Sequence, residues 1–118
     1  MNPFSGKRIV LTGHTGFKGS WLACLLSRLG AEVIGISDRV PTEPSHFETT
    51  SEDLAGDLRM DIRESFEILQ ALEKHKPEFV FHLAAQPIVF ESYENPLETF
   101  SVNAMGTASV LAALRVYD

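Results

Sequence analysis

The sequence predicts an α/β fold: an open, mostly parallel, doubly wound sheet with helices on both faces. Three observations predict it. The consecutive apolar residues Ile9-Val10-Leu11 read as a strand covered on both faces. That strand runs straight into Gly13, Gly16 and Gly19, spaced by three, with a helical pattern behind them. Strand-like and helix-like stretches then alternate in the order β-α-β-(β)-α-β-α, which makes a parallel sheet with crossover helices.

Each element has its own signal. The first strand is read at residues 7–12. The first helix is read at about 17–29, where Phe17, Trp21, Leu22, Leu25, Leu26 and Leu29 recur at spacings of three and four as the stripe expected to pack on the sheet. Gly30 is its stop signal. Residues 31–36 are the second strand, which completes a right-handed βαβ unit. Residues 37–52 are polar, contain Pro41 and Pro44, and read as a long loop. A short third strand is expected at 53–57. Asp61 is the expected N-cap of a second helix whose stripe is Ile62, Phe66, Leu69 and Leu72, with Pro77 past its end. Residues 78–83 form the fourth strand and 88–96 a loop or turn. Pro96 opens a third helix with Leu97, Phe100, Ala104, Ala108, Leu111 and Val116 on one face. No repeat, low-complexity tract or linker interrupts residues 1–118, so they read as one dinucleotide-binding domain. Four strands are few for such a sheet, and an open edge at the fourth is a liability. The chain is therefore expected to be the N-terminal part of a longer protein.

The totals bound the function. Hydrophobic residues make up 44% and charged residues 22% of 118, as in a folded soluble domain. A net charge of -6 argues against non-specific binding to nucleic acid or to anionic membrane. It leaves room for a phosphate ligand at one helix N-terminus. Cys24 is the only cysteine, so no intrachain disulfide forms, which fits a reducing compartment. No apolar run approaches the roughly 20 residues that span a bilayer, and residues 1–8 lack a signal-peptide core. A cytoplasmic location is the expectation.

The chemistry centres on the glycine turn. Gly13 is expected to allow the tight turn, Gly16 to let the backbone approach a pyrophosphate, and Gly19 to let the helix pack closely on the strand. The spacing is not that of a P-loop, because Lys18 precedes Gly19 instead of following it. Asp38, nineteen residues beyond Gly19, is the candidate acid for the adenosine ribose, with Arg39 beside it able to hold a 2′-phosphate. NAD is favoured over NADP. Both residues read equally as solvated loop charges. Asp57 is a candidate acceptor for the adenine amino group, with Leu58 against the ring, or else part of a surface turn. Ala84-Ala85-Gln86 follow the fourth strand, where small residues let a cofactor lie across the backbone. His14 is expected to cap or face solvent, and His82 to be a satisfied core histidine. Cys24 reads as packing. No His/Cys pair has metal spacing. The pair Tyr-x-x-x-Lys is missing, since Tyr93 has Leu97 four residues on and Tyr117 has nothing.

Several motifs together carry a resemblance: Thr12-Gly13-x-x-Gly16-x-x-Gly19, Gly56-Asp57-Leu58-Arg59, His82-Leu83-Ala84-Ala85-Gln86, Tyr93-x-x-Pro96 and Asn103-x-x-Gly106-Thr107. They are similar to those of the extended short-chain dehydrogenase/reductases that act on nucleotide sugars. Gly13-His14-Thr15-Gly16-Phe17-Lys18-Gly19-Ser20-Trp21, the loop 41–47 and Ala84-Ala85-Gln86-Pro87 most resemble the branch that dehydrates a nucleotide sugar such as CDP-glucose. The resemblance spans the chain but only about the first third of such an enzyme. It implies a Rossmann-like fold, bound NAD, and a reaction of internal hydride transfer. The hydride leaves the sugar C4, water is lost across C5–C6, and the hydride returns to C6 to give a 4-keto-6-deoxy sugar. By position it implies that Phe17 and Lys18 contact the pyrophosphate through the helix N-terminus, with Gly13, Thr15, Gly16 and Gly19 in the same cofactor-binding turn. Asp57 and Leu58 would hold the adenine, and Leu83, Ala84, Ala85 and Gln86 would line the cofactor. Asn103 would join the hydrogen-bond network beneath the active site. The departure is Ser37, which stands where many relatives carry the ribose acid. The tyrosine base and its lysine would lie beyond residue 118, so no catalytic residue is assigned here and these residues alone are expected to be inactive. The full-length enzyme is expected to be a homo-oligomer.

Two other readings stay open. One is an epimerase or reductase of the same superfamily, supported by the shared glycine and Asn-x-x-Gly-Thr motifs. The other is a non-catalytic dinucleotide-sensing module, supported by the missing Tyr-x-x-x-Lys.

Overall fold

The computed structural model describes residues 2–117. Four strands form one sheet: β1 (Arg8–Thr12), β2 (Glu32–Ser37), β3 (Gly56–Arg59) and β4 (Phe79–His82). Their order is β3-β2-β1-β4 and every pairing is parallel. The expected doubly wound, Rossmann-like arrangement is therefore present. Parallel strands need crossovers, and helices supply them: α1 (Phe17–Arg28) after β1, the short α2 (Phe47–Thr50) and α3 (Ser65–His75) around β3, and α4 (Val89–Glu94), α5 (Pro96–Phe100) and α6 (Gly106–Val116) after β4. A π-helical turn, Ser101–Met105, joins α5 to α6.

Alternate side chains of the strands enter two cores. Val10, Ile34 and Ile36 meet Ile68, Ala71 and Leu72 of α3 and Val110 and Ala113 of α6. Ile9, Leu11 and Val33 meet Ala23 and Leu26 of α1 on the other face. Burial on both faces explains the unbroken apolar runs of β1 and β2.

Several expectations shift. The third strand is Gly56–Arg59, not 53–57, because Ser51–Asp53 closes a single turn first and pairing with β2 begins at Gly56 opposite Ile34. Asp57 thus lies inside the strand. The loop 37–52 contains α2. The stretch 88–96 contains α4. Asp61 caps no helix. Its carboxylate accepts from the Arg63 backbone N–H at 2.9 Å and from the Arg63 guanidinium, and α3 starts four residues later. The packing faces of the long helices also differ. On α3 the expected Phe66 is exposed, and Ile68 and Ala71 are buried beside Leu72. On α1 the buried residues are Gly19, Ser20, Ala23 and Leu26, whereas Phe17, Trp21 and Leu25 are exposed. On α5 and α6 the expected stripe of Leu97, Phe100, Ala104, Ala108, Leu111 and Val116 faces outward. The buried residues of α6 are Gly106, Val110 and Ala113.

Candidate functional site

All four strands point the same way, so their last residues, Thr12, Ser37, Arg59 and His82, lie along one edge of the sheet. In open α/β sheets ligands bind outside that edge. The loops leaving it carry the residues singled out from sequence.

The turn after β1 is shaped by close contacts. Gly13 has φ +79°, and a Cβ there would lie 2.6 Å from the Ala84 backbone nitrogen. Only glycine fits both demands. A Cβ on Gly19 would run into the Gly13 carbonyl, so the helix start is folded directly onto the turn. Gly16 differs. Its φ of −76° and ψ of 173° suit any residue, and an added Cβ would meet only the Gly13 carbonyl oxygen, at 3.4 Å. Nothing inside the protein demands glycine at this position. Behind it, α1 begins without a side-chain cap and without an acidic residue in its first turn, and Phe17 and Lys18 are exposed. Its open amides and positive dipole end suit an anion.

Next to the turn is the end of β2. Ser37 is the last strand residue and is buried. Its hydroxyl lies 2.7 Å from the Thr15 hydroxyl, and both reach the Arg39 carbonyl, at 3.0 and 2.6 Å. The side chains of Asp38 and Arg39 are exposed and enter none of these bonds. The loop beyond is pinned back onto α1. The His46 ring stacks on Trp21 with centroids 4.1 Å apart, and its Nδ1 lies 2.8 Å from the Ser20 hydroxyl.

His14 was expected to cap or face solvent, and the structure overturns that. It is completely buried, and its Nε2 lies 2.7 Å from Asp57 Oδ1. The ring sits over Gly35 of β2, where any Cβ would collide with it, and meets Phe47 edge-on at 5.3 Å. Burial holds the imidazole below its ordinary pKa, with the hydrogen bond it donates to the Asp57 carboxylate opposing. Arg59, on the same strand face as Asp57, donates to both carboxylate oxygens at 2.7 and 3.2 Å. Leu58 faces the other way and packs against the core.

The end of β4 is organised by a chain of hydroxyls and one imidazole. Thr107 donates to the Asn103 carbonyl at 2.6 Å, so at 3.0 Å it accepts from His82 Nε2–H. His82 Nδ1 is then the acceptor for the Thr12 hydroxyl, at 2.6 Å. Thr12 in turn accepts from the amides of Leu83 and Ala84, both at 3.1 Å. His82 is thus satisfied at both nitrogens, as its sequence position predicts, and burial lowers its pKa. Asn103 lies in the π-helical turn and bonds the Gln86 backbone twice, accepting from its N–H at 2.7 Å and donating to its carbonyl at 3.1 Å. Ala85 is exposed between these anchors.

The structure therefore joins Gly13 to Ala84, Thr15 to Arg39, and Gln86 to Asn103. It leaves the side chains of Phe17, Lys18 and Asp38 in solvent. Sequence reasoning missed the His14–Asp57 link. The available signal was Gly35, a lone glycine inside a strand, which marks a close approach.

Comparison with known proteins gives a consistent picture. Residues 10–118 match the model of the family described as GDP-mannose 4,6 dehydratase. The chain is 47% identical over 115 residues to the CDP-glucose 4,6-dehydratase of Salmonella typhimurium, covering 97% of this chain and 32% of that protein. It is 36% identical over 121 residues to a GDP-mannose 4,6-dehydratase of Vibrio cholerae, covering 93% of this chain and 32% of that one. Among solved structures, the NAD-bound UDP-glucose 4-epimerase of Stenotrophomonas maltophila superposes with a TM-score of 0.83 at 26% identity, covering 92% of this chain and 33% of that chain. The Brucella ovis UDP-glucose 4-epimerase in complex with NAD gives 0.80 at 30% identity, covering 95% and 33%. The chain spans about a third of the length of these relatives.

Proposed function

Because the chain belongs to the GDP-mannose 4,6-dehydratase family, we propose that it supplies the dinucleotide-binding part of a nucleotide-sugar 4,6-dehydratase. The observation that carries the reading is Gly16. Neither its backbone angles nor its neighbours require glycine, so the missing side chain leaves space for something outside the chain, beside an uncapped helix N-terminus. A pyrophosphate fits that space.

In this reading the pyrophosphate lies over the turn of Gly13, Thr15, Gly16 and Gly19 and accepts from the open amides at the start of α1, at Phe17 and Lys18, since the Gly13 and Gly16 amides already donate to the Ile36 and Gly13 carbonyls. Asp38 and Arg39 flank the adenosine ribose and Asp57 the adenine, with Leu58 turned the other way into the core behind it. Leu83, Ala84, Ala85 and Gln86 line the nicotinamide half, with Asn103 fixing Gln86. NAD is the cofactor, ahead of NADP, as in the NAD-bound epimerases of the same fold. When bound, it supplies a reversible hydride acceptor. The residues present bind and orient; no Tyr-x-x-x-Lys pair occurs among them, and the 118 residues alone are proposed to give no turnover. CDP-glucose is the proposed substrate, from the Salmonella typhimurium relative. A cytoplasmic homo-oligomer is the proposed state of the enzyme.

The test has two arms. Calorimetry should detect NAD binding, and Gly16→Val should weaken it by at least about a hundredfold while leaving the circular dichroism spectrum unchanged, because a branched side chain fills the anion approach. The full-length enzyme given CDP-glucose should form a 4-keto-6-deoxy product. Formation of a 4-epimer without loss of water would favour the epimerase reading, which the epimerase neighbours in structure also support.

A further inference from the structure

We propose that His14 is a positioning residue for adenine recognition, holding the Asp57 carboxylate in the one orientation that leaves an acceptor site for the adenine amino group. This rests on the dinucleotide reading above. Four features carry it. First, His14 leaves the glycine turn but points inward, fully buried, and reaches a residue 43 positions away. Second, the direction of the bond is fixed. A carboxylate only accepts, so Nε2 carries the proton. Third, the ring cannot turn away. It is wedged between the backbone of Gly35, which has no side chain to share the space, and the ring of Phe47 at 84°. Fourth, the acceptor count closes. A carboxylate offers about four acceptor sites. The His14 Nε2–H and two guanidinium N–H groups of Arg59 take three. Arg59 is itself laid over the Phe47 ring, 5.4 Å from its centre. Phe47 thus braces both groups that grip Asp57.

Asp57, two residues before the end of β3, remains partly open, its side chain 38% exposed, so solvent or a ligand can reach the carboxylate. With His14 lacking its N–H, Arg59 alone would hold the carboxylate, as a single fork from the same strand. Asp57 could then swing with Arg59.

The experiment compares NAD with nicotinamide hypoxanthine dinucleotide, in which the adenine amino group is replaced by a carbonyl oxygen. The wild-type protein should bind NAD about tenfold more tightly than the analogue, the worth of one hydrogen bond to a charged group. Asp57→Asn should remove that preference. His14→Phe keeps the ring and its contacts but lacks the N–H. It should reduce the preference to about two- or threefold, and Asp57→Asn on top should change it little further. His14→Gln, which restores a donor, should recover it. A general structural role would weaken both dinucleotides equally, and an unchanged preference in folded His14→Phe overturns the assignment. Should His14→Phe fail to fold, His14→Leu, which also lacks the donor, takes its place: a reduced preference supports the assignment and an unchanged one overturns it. Wild-type protein that binds neither dinucleotide removes the dinucleotide reading itself, and this assignment with it.

Discussion

A methyl group at residue 35 has nowhere to go, because the His14 ring occupies the place where it would stand. Gly35→Ala should therefore cost about 1–3 kcal/mol through overpacking. Added to His14→Ala it should cost much less, since that change empties the space. Urea unfolding of the two single variants and the double variant measures the coupling, and purely additive effects would count against the packing described. Histidines also set the response to acid. Burial holds His14, His75 and His82 below their ordinary value of 6.5. The unfolded chain then binds protons that the folded chain refuses. Stability is full above the unfolded value and is lost as pH falls through the lower folded values, so the urea midpoint should be lower at about pH 5.5 than at about pH 7.5. His82→Gln should flatten part of that slope. At this scale the sequence showed Gly13 and Gly19 plainly, because turn geometry is local. His14 was hidden, because what it does depends on Gly35 and Asp57, which are near it only after folding.

The long helices α1 and α3 were legible as helices, whereas α2 and α4 fall in stretches that read as loops, and the packing faces of the long helices were not legible. On α1 the large apolar residues suggested the contact stripe, yet the sheet receives Gly19, Ser20 and Ala23. Small residues let the helix start lie directly on the glycine turn, and Phe17, Trp21 and Leu25 are turned outward as a result. Trp21 is then free to stack on His46 and hold the loop after β2 against α1. A small-residue stripe at helical spacing was present in the sequence, but hydrophobicity alone ranks it below its larger neighbours. The π-helical turn had no sequence signature. It places Asn103 where both its amide groups meet the Gln86 backbone. Asn103→Ala would leave that partly buried N–H and carbonyl unpaired, at a cost of about 1–3 kcal/mol. The amide of Gln86 should then exchange with deuterium faster while amides of β1 and β2 keep their protection. Equal acceleration throughout would mean that Asn103 acts on global stability instead.

The parallel architecture and the pairing of each strand with a covering helix were legible from alternating patterns, because burial on both faces writes itself as unbroken apolar runs. What the patterns did not reveal is how much apolar surface stays uncovered among the described residues. Ile88, Val89, Phe90, Tyr93, Leu97, Phe100 and Leu111 are all more than half exposed. Surfaces of this kind associate. The 118-residue chain should therefore sediment as concentration-dependent oligomers, and Leu97→Glu with Phe100→Glu should shift it toward monomer. A chain that stays monomeric at high concentration would contradict this.

The strand order also bears on how the molecule comes into being. β1 is an inner strand between β2 and β4, yet these two neighbours arrive at very different times. β2 follows within one crossover, while the pairing that joins Thr12 to His82 spans 70 residues. Closing that distance carries a loop entropy that nearby contacts do not. During synthesis β1 and β2 can dock on α1 while β4 is still being made, leaving one side of β1 unpaired. The glycine turn leans on Ala84, so it too takes its final shape only when that last strand arrives. The ligand edge of the sheet is thus the part of the domain that is completed late, and a ligand held there would reward the slowest step of folding.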